Sequence, residues 1–435
     1  MAAREQWSGR LGFILASMGA AIGLGNLWLF PWRLGSYGGA AFLIPYLIFV
    51  FGFVRYGLMA ELAFGRAMQK GPIGACEAAV APRFRRWGVF SGSIPVFAVS
   101  GILVFYSIVL GWILRYFVAS ILQGFSGAEA AGHFEALAGS VQSVPWHGVA
   151  LLLCMGIVLL GISRGLELSN RIAMPLLFVL LILLMGRSLT LPGADEGIRY
   201  LLLPDWSRLL EVTTWVMALG QAFFTVSLGG MLIYGSYLSR EIDIPESTSR
   251  VVLMNSLASL LAALVIMPSV FAFGLDPTSG PALLFVTMPH IFELMPGGRI
   301  FGSLFFFSVL LAGISSAINL LEVPVEALRD RTGMGRTKAV ICVGLAAFAL
   351  GIPLDLDMRL FGLWADLVTI YIFPLGALVQ FVIFLWFYGS DRALEAINLG
   401  AIRPRGRGLQ LFLKYGFVSI SALVLLLGIF YRGIG

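Results

Sequence analysis

Two glycine-rich stretches interrupt long apolar segments and are the first candidates for chemistry in this chain. The first runs from Gly19 to Asn26, and the second runs from Phe224 to Gly230. Each glycine destabilises a helix by ~1 kcal/mol, and backbone groups freed from a helix in lipid are tolerated only where they line a cavity. Broken segments at matching places in two halves of a chain therefore predict a midplane binding site between inverted repeats. The alternative is that the glycines only permit close helix packing.

Residue types that serve enzymes form no comparable cluster. The three histidines, His133, His147 and His290, all fall in predicted outer loops, and no Ser/His/Asp or metal-binding cluster is predicted within the apolar segments. The three cysteines suggest no disulfide framework. These features argue against a membrane enzyme.

The composition is that of a membrane protein. Of the 435 residues, 59% are hydrophobic and 12% are charged, whereas soluble domains carry about 25% charged residues. The net charge of +6 does not suggest a nucleic-acid partner. Its distribution along the chain instead reports membrane orientation.

A membrane span needs ~20 apolar residues, and on that rule about eleven segments are predicted. They lie near residues 11–33, 40–65, 90–122, 148–163, 170–187, 211–238, 250–275, 298–328, 338–353, 361–388 and 410–431. One transmembrane domain would fill residues 1–435, with inverted repeats at about 10–187 and 211–388 and an extra helix at about 410–431.

Lys and Arg are concentrated in alternate connections, which predicts a cytoplasmic N-terminus by the positive-inside rule. The rich connections follow the second, eighth and tenth segments, and residues 123–147 contain no Lys or Arg. The chain contains no Asn-x-Ser/Thr sequon, which favours a prokaryotic plasma membrane.

An ordered string of motifs resembles the neurotransmitter:sodium symporter family. In chain order these motifs are Arg10-Leu11-Gly12, Gly23-Leu24-Gly25-Asn26-Leu27-Trp28, Phe30-Pro31, Gly38-Gly39, Ile44-Pro45-Tyr46, Glu61, Gly65-Arg66, Gln221-Ala222-Phe223-Phe224-Thr225-Val226-Ser227-Leu228-Gly229, Gly280-Pro281, Phe285-Val286-Thr287, Pro289 and Ala312-Gly313-Ile314-Ser315-Ser316. The resemblance implies an all-α membrane protein with the LeuT-type five-plus-five inverted repeat, in which the first and sixth helices are broken. It also implies sodium-coupled secondary active transport. The link between broken helices and a midplane binding site is itself known from the LeuT-type fold, so the broken helices and the family resemblance count as one observation.

The resemblance implies two sodium sites built from oxygen atoms, the ligands that a hard cation prefers. The first would use Ala21, Asn26, Thr225 and Asn255. The second would use the carbonyls of Gly19, Ile22 and Ala312 and the hydroxyls of Ser315 and Ser316. Without the resemblance, the two serines would be interpreted as helix-packing residues.

The substrate pocket is expected between the two breaks. The resemblance implies that it is formed by Ala21, Leu24, Gly25, Ile102, Tyr106, Phe224, Thr225, Ser227, Ser316, Asn319 and Leu320. The N–H groups of Leu24 and Gly25 would bind a carboxylate, because the start of a half-helix favours negative charge. Monoamine carriers of the family have Asp where this chain has Gly23. The substrate should therefore bring its own carboxylate, as an amino acid or related zwitterion does.

Chloride is a further expectation, because the position of a seventh-helix Glu in chloride-independent bacterial members is Ser259 here. The resemblance implies a chloride site made by Tyr46, Gln221, Thr225, Asn255 and Ser259. The alternative is that Ser259 only packs and that proton release, or nothing, balances the charge.

Two gates are expected. The inner gate would comprise Arg4, Trp7, Ser236, Tyr237 and Asp330. The family's outer-gate Arg is replaced by Leu29, so we expect the outer gate to have moved to Arg33 and Asp366; the alternative is a hydrophobic closure by Leu29.

The lost gate arginine also leaves open a second function. A membrane receptor of the same fold would bind the solute without transporting it.

Overall fold

The computed structural model describes residues 5–124, 130–225, 230–277 and 283–431, without the side chains of residues 130, 131, 224 and 225. The described part of the first half is helical throughout. Its helices are α1 (Arg10–Ala21), α2 (Gly25–Ser36), α3 (Ala40–Met68), α4 (Pro72–Ala79), α5 (Pro82–Leu122), α6 (Ala130–Leu137), α7 (Ser143–Leu159) and α8 (Ile162–Leu189).

The second half repeats this all-helical character. Its helices are α9 (Ala194–Leu202), α10 (Trp206–Leu209), α11 (Val212–Thr225), α12 (Met231–Ser236), α13 (Ile244–Ala272), α14 (Leu283–Leu294), α15 (Gly298–Thr332), α16 (Arg336–Leu356), α17 (Met358–Asn398) and α18 (Arg407–Tyr431).

Each predicted apolar segment corresponds to one of these helices or to a pair of them. Among the described residues, 8 helices are long and apolar enough to cross a membrane, and the bent pair α1–α2 raises the number to 9. The apolar helix α7 is shorter, with 17 residues. The sixth predicted segment, near residues 211–238, is α11 followed by α12, with residues 226–229 outside the described residues.

The first glycine-rich stretch does break a helix. α1 ends at Ala21, Ile22 takes an extended conformation with φ −89° and ψ 102°, and the chain resumes helix at Gly25. The axes of α1 and α2 differ by 54°. Residues 226–229 of the second stretch lie outside the described residues, so the connection between α11 and α12 is not described.

Long helices hold this break in the middle of the molecule. α1 packs against α8, α13 and α15, while α5 packs against α7, α15 and α17. We call the end of the bundle that carries Arg10 and Arg336 the inner end, after the predicted orientation, and the opposite end the outer end.

Candidate functional site

A cavity of about 340 Å³ lies beside the break between α1 and α2, with α5, α15 and α17 as its other described walls. Seven of the predicted substrate residues line it: Ala21, Leu24, Gly25, Ile102, Tyr106, Ser316 and Leu320. The sequence did not single out several apolar lining residues: Val99, Phe105, Val109, Phe361 and Phe373. A volume of this order suits a small molecule.

The other predicted substrate residues are not placed in the cavity. Asn319 is fully buried and does not line it. Ser227 and the side chains of Phe224 and Thr225 lie outside the described residues.

The polar end of the cavity is formed by Tyr106 and the start of α2. The backbone N–H of Leu24 donates a hydrogen bond to the Tyr106 hydroxyl at 3.3 Å. α2 begins with a π-helical turn over Gly25–Leu29, a feature that is frequent at functional sites. A hydroxyl beside a helix start is a favourable place for a carboxylate.

Five oxygen atoms at the break form what we call the serine group: the carbonyls of Gly19, Ile22 and Ala312 and the hydroxyls of Ser315 and Ser316. The Ser316 hydroxyl donates to the carbonyls of Gly19 at 3.2 Å and Ile22 at 3.3 Å. The Ser315 hydroxyl lies 2.8 Å from the Ala312 carbonyl and 3.5 Å from that of Ile22. The structure thus brings together every residue predicted for the second sodium site, and neutral oxygens of this kind fit a hard monovalent cation.

A second set of polar residues, the asparagine group, comprises Ala21, Asn26 and Asn255. The Asn26 amide donates to the Asn255 side-chain oxygen at 3.0 Å and to the Asn255 carbonyl at 3.2 Å. Asn26 and Asn255 are buried, and Asn26 lines the cavity together with Ala21. Three of the four residues predicted for the first sodium site are therefore in one place, while the side chain of Thr225 is not described.

Of the residues predicted to bind chloride, Asn255 belongs to the asparagine group, Ser259 contacts it, and the side chain of Thr225 is not described. The Asn26 amide also donates to the Ser259 hydroxyl at 2.8 Å. Gln221 donates to the Gly25 carbonyl at 3.0 Å, and Tyr46 packs its ring 4.8 Å from that of Phe30.

At the inner end, Trp7, Ser236 and Tyr237 of the predicted gate are buried and closely packed. Trp7 is 6% exposed, and its indole N–H donates to the Tyr234 carbonyl at 3.0 Å. Its ring centroid lies 6.0 Å from that of Tyr237. Ser236 is buried in the same place, Asp330 accepts from the Gly71 N–H at 2.7 Å, and Arg4 lies outside the described residues.

The sequence reasoning missed an ionic cluster next to this gate. Glu322 is fully buried and accepts a hydrogen bond from the Tyr237 hydroxyl at 2.8 Å. Arg336 forms an ion pair with Glu322 at 2.6 Å and lies 3.5 Å from Glu5 and from Glu326. An acid in the middle of an apolar segment was the available signal, because such residues are costly in a membrane and usually functional.

At the outer end, the predicted gate residues are not joined. Arg33 is 3% exposed and donates to the Gln221 side-chain oxygen at 3.0 Å. Asp366 is exposed and lines the cavity, as does Leu29. No ion pair links Arg33 to Asp366 in this conformation, so the displaced ionic gate stays a prediction.

The placement of His147 in an outer loop was wrong, and so was the expected absence of a Ser/His/Asp cluster. His147 is fully buried in α7; its Nδ1 lies 2.7 Å from Asp355 of α16, and its Nε2 lies 2.9 Å from the Ser107 hydroxyl of α5. Ser143 also donates to Asp355 and accepts from Trp112. Since Ser107 is itself 1% exposed, this cluster is out of reach of any substrate and serves to join three helices.

Comparison with known proteins agrees with this geometry. The family model described as the sodium:neurotransmitter symporter family matches residues 4–136 and 133–434. A sodium-dependent transporter of Bacillus subtilis, YhdH, is 39% identical over 369 residues, which are 82% of this chain and 81% of that protein. A sodium- and chloride-dependent taurine transporter of Rattus norvegicus is 28% identical over 462 residues, covering 91% of this chain and 73% of the relative.

A solved structure of MhsT in complex with L-phenylalanine is similar over nearly the whole chain. It has a TM-score of 0.88 and 36% sequence identity, and the match covers 98% of this chain and 100% of that one. This similarity confirms the expected LeuT-type fold. Together with the two sequence relatives and the family model, it shows that the chain belongs to the sodium:neurotransmitter symporter family.

Proposed function

We propose that this protein is a sodium-coupled symporter that carries an amino acid with an apolar side chain by alternating access around the cavity. The observation that carries the proposal is the serine group, in which five neutral oxygens from α1, its broken end and α15 converge. A cation held there bridges the broken helix to α15. Its binding and release can therefore be linked to movement of α1 relative to α15.

The asparagine group supports a second sodium, with the substrate as one of its ligands. A carboxylate at Tyr106 and the start of α2 would lie next to Ala21 and Asn26, which also line the cavity. Because none of the asparagine-group side chains is acidic, the substrate would supply the negative charge. Ion and substrate would then each strengthen the binding of the other.

The apolar walls favour the side-chain class. Val99, Ile102, Phe105, Phe361 and Phe373 give the cavity a largely apolar lining. A polar side chain there would lose its hydration without gaining partners among these residues. The neighbour MhsT was solved with L-phenylalanine, which makes aromatic and branched amino acids the first compounds to test.

Thermal stabilisation of the purified protein tests this proposal. A ligand that binds only the folded state raises the melting temperature by mass action. We expect apolar amino acids to stabilise the protein in sodium buffer and not in potassium buffer, with small polar amino acids as matched controls. Stabilisation by no zwitterion in sodium would contradict the substrate class.

We also propose that chloride supports transport. The Asn255 side-chain N–H₂ is buried and has no hydrogen-bond partner among the described residues, and its orientation is set by the bond that its oxygen accepts from Asn26. An unpaired donor beside the Ser259 hydroxyl suits an anion, and a cation cannot satisfy it. Uptake should fall when gluconate replaces chloride, and unchanged uptake would remove this part of the proposal.

Uptake into proteoliposomes separates transport from simple binding. We propose a prokaryotic plasma-membrane location with the N-terminus inside, so that an inward sodium gradient drives accumulation. Sodium-dependent binding without accumulation would identify a receptor instead.

A further inference from the structure

A buried amide oxygen beside the serine group has no role in the site described so far. Asn170 of α8 is fully buried, and its side-chain N–H₂ donates to the Leu166 carbonyl at 2.8 Å. This bond fixes the orientation of the amide, so Oδ1 is the acceptor that points away from the Leu166 carbonyl. Oδ1 has no hydrogen-bond partner among the described residues. A buried acceptor of this kind can bind a cation or a donor from a bound molecule.

The position of this oxygen is given by Gly19. A Cβ atom built on Gly19 would lie 1.7 Å from Asn170 Oδ1 and 3.1 Å from Ser315 Cβ. Only a glycine at position 19 therefore lets the amide oxygen approach α1. The carbonyl of Gly19 and the hydroxyl of Ser315 both belong to the serine group, so Oδ1 borders the same small region.

Asn170 Oδ1 approaches Gly19 from the side of the inner end. Cβ positions on a helix tilt toward its N-terminus, and α1 runs from the inner end to the break. Asn170 Oδ1 therefore meets Gly19 from the inner side, opposite to the cavity. One helical turn earlier on α8, Glu167 approaches Gly12 and accepts a hydrogen bond from the Ser8 N–H at 2.9 Å. Two oxygen acceptors of α8, Asn170 Oδ1 and the Glu167 carboxylate, therefore lie along its contact with α1, between the serine group and the inner end.

We infer that Asn170 Oδ1 is a sixth oxygen of the sodium site at the serine group, binding the ion on its inner side. The partner that this oxygen lacks must be a hydrogen-bond donor or a cation, and no described residue supplies a donor. The groups that converge beside it are carbonyl and hydroxyl oxygens, which attract a hard cation. The inference rests on the proposed function, because it assigns a further ligand to a sodium site that the proposal assumes.

The test compares the sodium concentration that gives half-maximal thermal stabilisation, with choline keeping the ionic strength constant. Asn170→Leu keeps the size of the side chain and removes the oxygen, so it should raise the half-saturating sodium concentration about tenfold. Asn170→Asp keeps an oxygen and should stay near the wild type or below it. Ser421→Ala, which removes another buried hydroxyl without a partner on distant α18, should leave sodium binding unchanged.

Each outcome decides the inference. A half-saturating concentration for Asn170→Leu within about twofold of the wild type would overturn it, since loss of a ligand or its support normally has a larger effect. A wild type without sodium-dependent stabilisation would instead refute the proposed function. Melting temperatures in sodium-free buffer show whether each variant folds, and Asn170→Ala gives the same comparison if the leucine variant does not.

Discussion

Gly23 is the residue where substrate and ion chemistry come closest together. A Cβ atom at this position would lie 2.4 Å from the Ser316 hydroxyl and 2.9 Å from the Tyr106 hydroxyl. The first belongs to the serine group and the second to the polar end of the cavity. Close packing therefore explains why position 23 has no side chain. A substrate that brings its own carboxylate is a second reason, because no acid is then needed at this position.

We expect Gly23→Ala to weaken sodium-dependent substrate binding by about tenfold or more, because overpacking a tight site destabilises it by about 1–3 kcal/mol. The measurement is the substrate concentration for half-maximal stabilisation in sodium buffer. Gly186→Ala is the matched control, because a Cβ there would meet nothing within 4 Å. An alanine variant with wild-type affinity would show that Ser316 or Tyr106 can move aside.

The family resemblance places Ser315, Ser316, Asn26 and Tyr106 at the break, and the structure has them there. Their roles as ligands of sodium or substrate stay predictions. Asn170 was not predicted, because nothing in its type or spacing shows that its oxygen is left without a partner. That property depends on a contact between α8 and α1, which no local pattern records.

At the scale of helices, the cluster around His147 acts as a polar connection between α5, α7 and α16. Ser107, His147, Ser143 and Asp355 are all buried, and each has a partner in the cluster. Fully satisfied buried networks rigidify the elements that they join. Ser107 follows Tyr106 directly on α5, so the connection holds this part of α5 in place and supports one wall of the cavity.

Asp355→Ala should destabilise the protein by about 3–5 kcal/mol, the usual effect of removing one partner of a buried pair. The reason is that His147 and Ser143 then lose their common acceptor. Melting temperatures in detergent provide the measurement, and Asp195→Ala, which changes an exposed carboxylate of α9, is the control. Equal melting temperatures for the two variants would mean that the cluster contributes nothing to the helix contacts.

The ionic cluster of Arg336, Glu322 and Tyr237 holds the inner end in the same way. We expect Arg336→Gln to accelerate hydrogen–deuterium exchange in residues 10–21, because a buried carboxylate without its cation favours a hydrated, open inner end. Arg250→Gln, which removes an exposed pair with Glu246, should have little effect. Unchanged exchange in the first variant would place the inner gate elsewhere.

The positions of the helices were predictable because length and apolarity determine membrane spans. The contacts that each helix face makes with other helices were not predictable. His147 was misplaced because α7 begins at Ser143, five residues before the predicted start of that segment. Its partners are 40 and 208 residues away in the chain. Periodicity within one apolar helix does not show which residues of other helices it will meet.

For the molecule as a whole, the cavity reaches toward the outer end and is closed at the inner end. Leu29, Trp32 and Asp366 line it on the outer side, while Trp7 is packed against Tyr234 and Tyr237 at the other end. With the orientation that we propose, this arrangement would correspond to a transporter ready to receive substrate from outside. Transport then requires the two ends to exchange these roles.

Arg33 is the residue that should govern the outer side of this exchange. Through Gln221 it links α2 to α11, and Gln221 in turn donates to the Gly25 carbonyl. We expect Arg33→Ala to lower both substrate affinity and uptake rate by about tenfold, since an unpaired partner left in a buried network costs about 1–3 kcal/mol. Proteoliposome uptake measures both values, with Arg187→Ala at the outer end as control. Wild-type values for Arg33→Ala would favour hydrophobic closure by Leu29.

The neutral make-up of the serine and asparagine groups has an electrical consequence. None of their residues is acidic, and a zwitterion carries no net charge. Each sodium ion would therefore cross the membrane as an uncompensated positive charge and generate a current. A membrane potential of 100 mV contributes about 2.3 kcal/mol for each such charge that crosses. This energy corresponds to a roughly 50-fold increase in the ratio of substrate concentrations across the membrane. A chloride ion travelling in the same cycle would cancel one charge, so the current per substrate molecule gives the net charge moved in each cycle.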